Sequence, residues 1–368
     1  RNSSLFSRGY LPATLKIGIY IDVKQISMIE REKLAEAARV MREYLAPVDP
    51  NEFEAETGIR ESDFCEIVPR EFGGRIFAID GSNVVVFDLG NVTLNRIRAG
   101  YVVYQGTKWQ KTVTVYDDLF TADRESYRQQ FDRFRREIFG LEDSFELKTE
   151  EELERISTFY RDLQEHVALS EAVSEAEAGD LVLYDGGFSL WSDPYYREVL
   201  NQIFEEAEGR RVDLLAVSKS SKLSWGRGIS RPLVKSTDRI GSLAVPDKPW
   251  RVQVSGKRAI REDPWRGRTY VAKFHPRATH AFRVDAPDSV AEEIDEALGR
   301  AAMYARSSES LGYPHALFRA HQDLKIPVQE RNFTRLSLFE GLRAEGLNET
   351  EIRSALDYHE VLDGLSRR

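Results

Sequence analysis

Apolar and polar residues follow two periods along this chain. Short, nearly continuous apolar runs at 75–80, 83–89 and about 98–105 read as three strands in close order. Gly81-Ser82-Asn83 reads as the turn between the first two, and Gly90-Asn91 ends the second, which predicts an antiparallel meander. Later runs at 180–185, 212–218, 269–275 and 280–284 have the same strand character. Helical spacing covers Ile29 to Leu45, where Leu34, Ala37, Val40, Met41 and Tyr44 share a face before Ala46-Pro47-Val48-Asp49-Pro50 breaks it. Residues 117–177 read as helical throughout, with Phe120, Tyr127, Phe131 and Phe134 in the first part and Ile156, Phe159, Leu163, Val167, Leu169 and Val173 in the second. Further helices are predicted at 195–208, at 290–307 behind Pro287 and the cap candidates Asp288-Ser289, at 314–324, and at 348–365.

Two of the strand runs end in a carboxylate followed by glycine: Phe77-Ala78-Ile79-Asp80-Gly81-Ser82 and Leu181-Val182-Leu183-Tyr184-Asp185-Gly186-Gly187. Asp-Gly after a strand is an ordinary turn signal. Two carboxylates held rigidly at strand ends are also what a divalent cation needs in metal-assisted phosphodiester cleavage.

Composition narrows the setting. The 368 residues allow one elaborated domain or two, and 41% hydrophobic with 31% charged residues is ordinary for a water-soluble globular protein. No apolar stretch is long enough to span a bilayer, and no signal segment opens the chain, which begins at Arg1; a cytoplasmic location with no membrane contact is the expectation. Cys65 is the single cysteine, so intrachain disulfides and cysteine zinc sites are excluded. The net charge of −9 is unevenly spread: Lys219 to Arg283 holds sixteen Lys/Arg against four acids, an excess of +12, which leaves −21 for the rest. Trp225, Trp250, Trp265 and Tyr270 are interleaved with those cations, a composition suited to a phosphate backbone with unstacked bases. Lys222, Arg227, Arg231, Lys257, Arg258 and Lys273 are the candidate DNA contacts. There is no Gly-x-x-x-x-Gly-Lys-Ser/Thr loop, so the chain is not expected to hydrolyse ATP itself.

The order of elements predicts an α/β fold, a ribonuclease H-like mixed sheet flanked by helices, with added helical segments. A strand ending in Asp80 opens a meander, helices follow, a second strand ends in Asp185, and helix and strand then alternate. Three sections are expected: a helical and extended N-terminal section at 1–70, a nuclease domain at 71–335 with a helical insertion at 117–177 and the basic section at 219–283, and a helical extension at 336–368. In that fold a carboxylate from the helix before the second aspartate strand joins the cluster. Glu165 is the choice, with Glu171 close in register as the alternative. His321, at the end of Gly312-Tyr313-Pro314 through Ala320-His321, completes the cluster as a ligand or a proton carrier.

At these residues the chain resembles the NurA nucleases, partners of the HerA helicase/translocase. The resemblance rests on Phe77-Ala78-Ile79-Asp80-Gly81-Ser82, Leu183-Tyr184-Asp185-Gly186, Ala216-Val217-Ser218-Lys219-Ser220-Ser221 and Gly312-Tyr313-Pro314 through Ala320-His321, over roughly residues 70–330. Ala281-Phe282-Arg283-Val284 is similar to the family's late strand. The resemblance implies manganese- or magnesium-dependent DNA cleavage with two ions, 5'-3' exonucleolytic and endonucleolytic on single strands. It implies a homodimer docked on a hexameric HerA-type ATPase, in DNA end processing or anti-phage defence. By motif position it implies Asp80, Glu165, Asp185 and His321 as metal site residues and Lys219 beside the scissile phosphate. Gly187 departs from the serine usual in the family. A non-catalytic DNA-binding scaffold that regulates an ATPase ring is the alternative, and a phosphohydrolase of small nucleotides a third reading.

Overall fold

The computed structural model describes residues 28–123, 125–142, 155–188, 194–227, 230–257 and 265–354. The chain divides into two units, Arg1–Pro47 and Val48–Arg368. In the first, α1 (Met28–Leu45) leaves Leu34, Val40, Met41 and Tyr44 exposed.

In the second unit the elements run α2 (Pro50–Thr57), β1 (Cys65–Glu66), β2 (Arg75–Asp88), β3 (Thr93–Gln105), β4 (Lys108–Ala122), α3 (Ser126–Phe139), α4 (Ile156–Glu175), β5 (Leu181–Tyr184), α5 (Pro194–Arg210) and β6 (Asp213–Ser218). They continue with β7 (Ser224–Trp225), β8 (Arg231–Pro232), α6 (Leu233–Ala244), β9 (Trp250–Gln253), β10 (Gly267–Lys273), β11 (Phe282–Pro287), α7 (Asp288–Ala291), α8 (Ile294–Met303), α9 (His315–Leu324), α10 (Val328–Ala344) and α11 (Glu349–Ser354). Among the described residues no helix is long and apolar enough to cross a membrane.

Among the described residues nine strands form one sheet in the order β1-β9-β10-β11-β6-β5-β2-β3-β4. The β4-β3-β2 meander is antiparallel, β5 joins β2 in parallel and β6 joins β5 in parallel. This is the mixed sheet expected of a ribonuclease H-like fold, and β11, β10, β9 and β1 extend it in antiparallel fashion.

The alternation of side chains across each strand divides the core into two layers. Phe77, Ile79, Val182, Tyr184, Leu214 and Ala216 face α4 and α5 in one layer. Ile76, Ala78, Leu181, Leu183, Leu215 and Val217 face α8 and α9 in the other. A third cluster, with Phe53, Ile59, Trp225, Trp250 and Val252, lies under α2 and α6.

Several expectations are corrected. Gly81-Ser82-Asn83 is not a turn: β2 runs through it, pairing Gly81 with Ala99 and Ser82 with Arg98. Residues 117–122 are strand, because Val113-Thr114-Val115-Tyr116 favour extended backbone and Asp117 binds Arg96 and Arg98 across the β3–β4 pair. The helix expected at 290–307 is two, α7 and α8. Residues 48–70 belong to the large unit through Phe53, Ile59 and Ile67, all fully buried, and α10 runs across the expected boundary at 335. Of the last predicted helix, only 348–354 falls among the described residues.

Candidate active site

Asp80 and Asp185 are brought side by side by register. Ile79 pairs with Tyr184 in the parallel β2–β5 ladder, and the Asp185 amide donates to Ile79 O at 3.0 Å. The next residue on each strand is therefore an aspartate. Strand β5 stops there while β2 continues, so the two carboxylates stand where the sheet opens. By alternation with Ala78 and Leu183, both lie on the layer that faces α9.

The helix α9 supplies His321, whose Nδ1 lies 2.9 Å from Asp80 Oδ2. Ser82 fixes that helix: its hydroxyl donates to Leu324 O at 2.7 Å and accepts from the Ile326 amide at 3.1 Å. The same strand that carries Asp80 thus ties down the end of the helix that carries His321. One ligand atom from each of Asp80, Asp185 and His321 lies within 4.8 Å of the others.

Glu165 arrives from the opposite layer, on α4. Its approach depends on Gly81. A Cβ on Gly81 would stand 2.5 Å from Glu165 Oε1, 2.8 Å from Glu165 Cγ and 3.0 Å from Arg98 O. The glycine is there for space, and Asp80-Gly81-Ser82 has a separate structural task for each residue. Both Glu165 oxygens are engaged: Arg161 Nε lies 3.1 Å from Oε1, and the Tyr184 hydroxyl donates to Oε2 at 2.9 Å. Glu171, the alternative, is exposed on the same helix.

Lys219, just past β6, pairs with Asp185 Oδ2, and its ammonium lies 5.6 Å from the centre of the Tyr313 ring. The residues after Asp185 are held by Asp285, which is fully buried and accepts from the Phe188 amide at 2.9 Å, Thr269 Oγ1 at 2.9 Å and Arg283 Nε at 2.9 Å. Ser218 Oγ donates to Gly186 O. A Cβ on Gly187 would meet Asp285 Oδ2 at 3.1 Å and Ser218 Oγ at 3.3 Å, so glycine suits this close loop.

The electrostatics follow from crowding acids in a buried place. Burial and the Asp80 charge push the Asp185 carboxyl up to about 6, against the opposing pull of Lys219 and Tyr313. Burial pushes Glu165 up to about 8, with Arg161 opposing and Asp162 and Asp80 adding to the rise. Burial and Asp185 raise the Tyr313 hydroxyl well above its ordinary value, so it stays protonated. Two oxygens and an imidazole nitrogen beside acids that resist ionisation fit a divalent cation, which would relieve that repulsion.

The candidate DNA contacts are placed unevenly. Lys222 and Arg227 are exposed. Arg231 pairs with Glu52 at 3.3 Å and lies over the Trp225 ring, and Lys257 pairs with Asp63 at 2.6 Å. Lys273 is 8% exposed and binds Asp238 at 2.9 Å, an internal ion pair rather than a free surface charge. Arg258 lies outside the described residues. Trp225, Trp250 and Tyr270 are buried, which corrects their reading as base-stacking surfaces. Sequence reading missed Arg161, Tyr184, Tyr313, Asp285 and the tether made by Ser82. Of these, only Arg161 had a local signal, four residues before Glu165 on one helix.

Residues 74–225 match the family model described as NurA domain. Among solved structures, the NurA nuclease from Sulfolobus solfataricus aligns over 89% of this chain and 97% of its own, at 16% identity and a TM-score of 0.51. A NurA crystal structure with manganese aligns over 87% of this chain and 99% of its own, at 11% identity and a TM-score of 0.47. No curated protein sequence matches the chain. At such identities the first likeness speaks for the fold, while the domain match covers β2 to β7 and contains Asp80, Glu165, Asp185 and Lys219. Residues 74–225 of the chain thus form a NurA domain, on a fold similar to that of a NurA nuclease.

Proposed function

We propose that the chain is a divalent-metal-dependent DNA nuclease whose reaction takes place at Asp80, Glu165, Asp185, Lys219 and His321. The observation that carries this reading is the convergence of Asp80, Asp185 and His321 within 4.8 Å, with Glu165 and Lys219 against the same aspartates. Asp80, Asp185 and His321 would hold a Mn2+ or Mg2+ ion. Such an ion would lower the pKa of an attacking water and offset charge on the phosphate.

The chain's own groups divide the remaining work. Asp185 and Asp80 orient the phosphate-facing side of the site from rigid strands. Glu165, buried beside them, is placed to take a proton from the attacking water at slightly alkaline pH. Lys219 turns from Asp185 toward the scissile phosphate as negative charge develops there. Tyr313 lines the same site, its ring 5.6 Å from the Lys219 ammonium. Lys222 and Arg227, exposed near the end of the Lys219 loop, suit the DNA backbone.

The finer reading follows the family: a cytoplasmic homodimer that works with a HerA-type hexameric ATPase, 5'-3' exonucleolytic and endonucleolytic on single strands, in end processing or defence. The test is cleavage of end-labelled single- and double-stranded DNA in Mn2+, for wild type and Asp80→Ala, with and without a HerA-type ATPase. Cleavage by wild type alone supports the reading. Equal cutting by Asp80→Ala refutes the site, and DNA binding without cleavage in every lane favours the scaffold.

A further inference from the structure

We propose that Arg161 takes the place of a second cation, so that the resting site binds one divalent ion on Asp80, Asp185 and His321. This rests on the metal-nuclease reading above and departs from the two-ion expectation drawn from the sequence. The carboxylate that a second ion would need is Glu165, and neither of its oxygens is free. Arg161, one turn earlier on α4, makes an ion pair with Oε1, Nε lying 3.1 Å away, and the Tyr184 hydroxyl donates to Oε2 at 2.9 Å.

Two hydrogen bonds fix the guanidinium, and its third side faces Glu165 as an ion pair. Its Nη2 donates to Asp162 at 2.6 Å and its Nη1 to Asn83 Oδ1 at 3.4 Å, while Nε faces Glu165. Asn83 lies three residues beyond Asp80 on β2, so the cation is anchored to both the helix and the strand that form the site.

A second ion on Glu165 would have to displace a guanidinium that is hydrogen-bonded to Asp162 and Asn83 and ion-paired with Glu165 itself.

The test counts Mn2+ bound to the full chain without DNA, by equilibrium dialysis and electron paramagnetic resonance. Wild type should bind one ion with no Mn–Mn coupling, and Asp185→Asn should lose it. Arg161→Met should bind two coupled ions, because Glu165 is released. Two coupled ions in wild type overturn the proposal while leaving the nuclease reading intact; so does a single ion in Arg161→Met. A wild type whose Mn2+ binding is indifferent to Asp185→Asn sinks the underlying site reading instead. Should Arg161→Met fail to fold, Glu165→Gln decides: Mn2+ affinity within about threefold of wild type supports the proposal, and a loss of about tenfold or more refutes it.

Discussion

Gly81→Ala adds one methyl group and removes no chemistry, which makes it a sharp test of how the site is built. The new Cβ would sit 2.5 Å from Glu165 Oε1, 2.8 Å from Glu165 Cγ and 3.0 Å from Arg98 O. The Arg98 carbonyl belongs to β3, paired on both sides by β2 and β4, and does not yield. The Glu165 side chain must move, and in moving it gives up the Tyr184 hydroxyl and the Arg161 guanidinium. Overpacking of this kind costs about 1–3 kcal/mol. Removing a glycine from a strand returns about 0.5–1 kcal/mol through the unfolded chain. The expected net destabilisation is about 1–2 kcal/mol. Activity should suffer far more, because displacing a reacting carboxylate by about 1 Å costs on the order of 100-fold. Urea unfolding in EDTA and Mn2+-dependent cleavage of labelled single-stranded DNA measure the two effects. Glu165→Asp, one methylene shorter, should recover part of the lost stability in the double variant. Wild-type cleavage together with wild-type stability in Gly81→Ala would refute the close approach of Glu165 to β2.

Other outcomes follow from the same geometry. The metal-free protein should lose stability as pH rises from about 4 toward 8, since Asp185 and Glu165 keep protons in the folded state, to about 6 and about 8, that the unfolded chain has already released; thermal unfolding in EDTA across that range checks it, and Mn2+ should flatten the decline. Asp185→Asn should stabilise the metal-free protein at pH 8 by on the order of 2–3 kcal/mol while abolishing cleavage, read by the same melts and by the DNA assay. Ser82→Ala should cost about 1–3 kcal/mol for its two hydrogen bonds and slow cleavage by loosening the helix that carries His321. Asp285→Ala should cost about 3–5 kcal/mol, because it strips Arg283 of its buried carboxylate and releases the Phe188 amide, and a urea titration reports it.

Much of this protein was legible before any fold was known. The apolar runs ending at Asp80 and Asp185, the helix and strand that follow Asp185 and the helix opening at Pro314 follow from local patterning, since a buried strand needs consecutive apolar residues whatever surrounds it. The apolar residues flanking Glu165 likewise set it on a partly buried face of its helix, and it is buried. What the pattern could not decide was partnership. Gly81 and Ser82 read as a turn because glycine beside serine usually is one; only the packing of α4 and α9 against β2 shows that the first makes room for Glu165 and the second ties down the helix of His321. The tryptophans of the basic section read as stacking platforms because composition carries no burial, and the third core takes Trp225 and Trp250 inside. Lys273 and Lys257 read as DNA contacts for the same reason, and their acids come from segments 35 and 194 residues away. Charge and apolarity are properties of a residue and can be read along a chain. Whether a charge meets DNA, a metal or another side chain is settled by long-range register and packing, and these exist only in the folded protein.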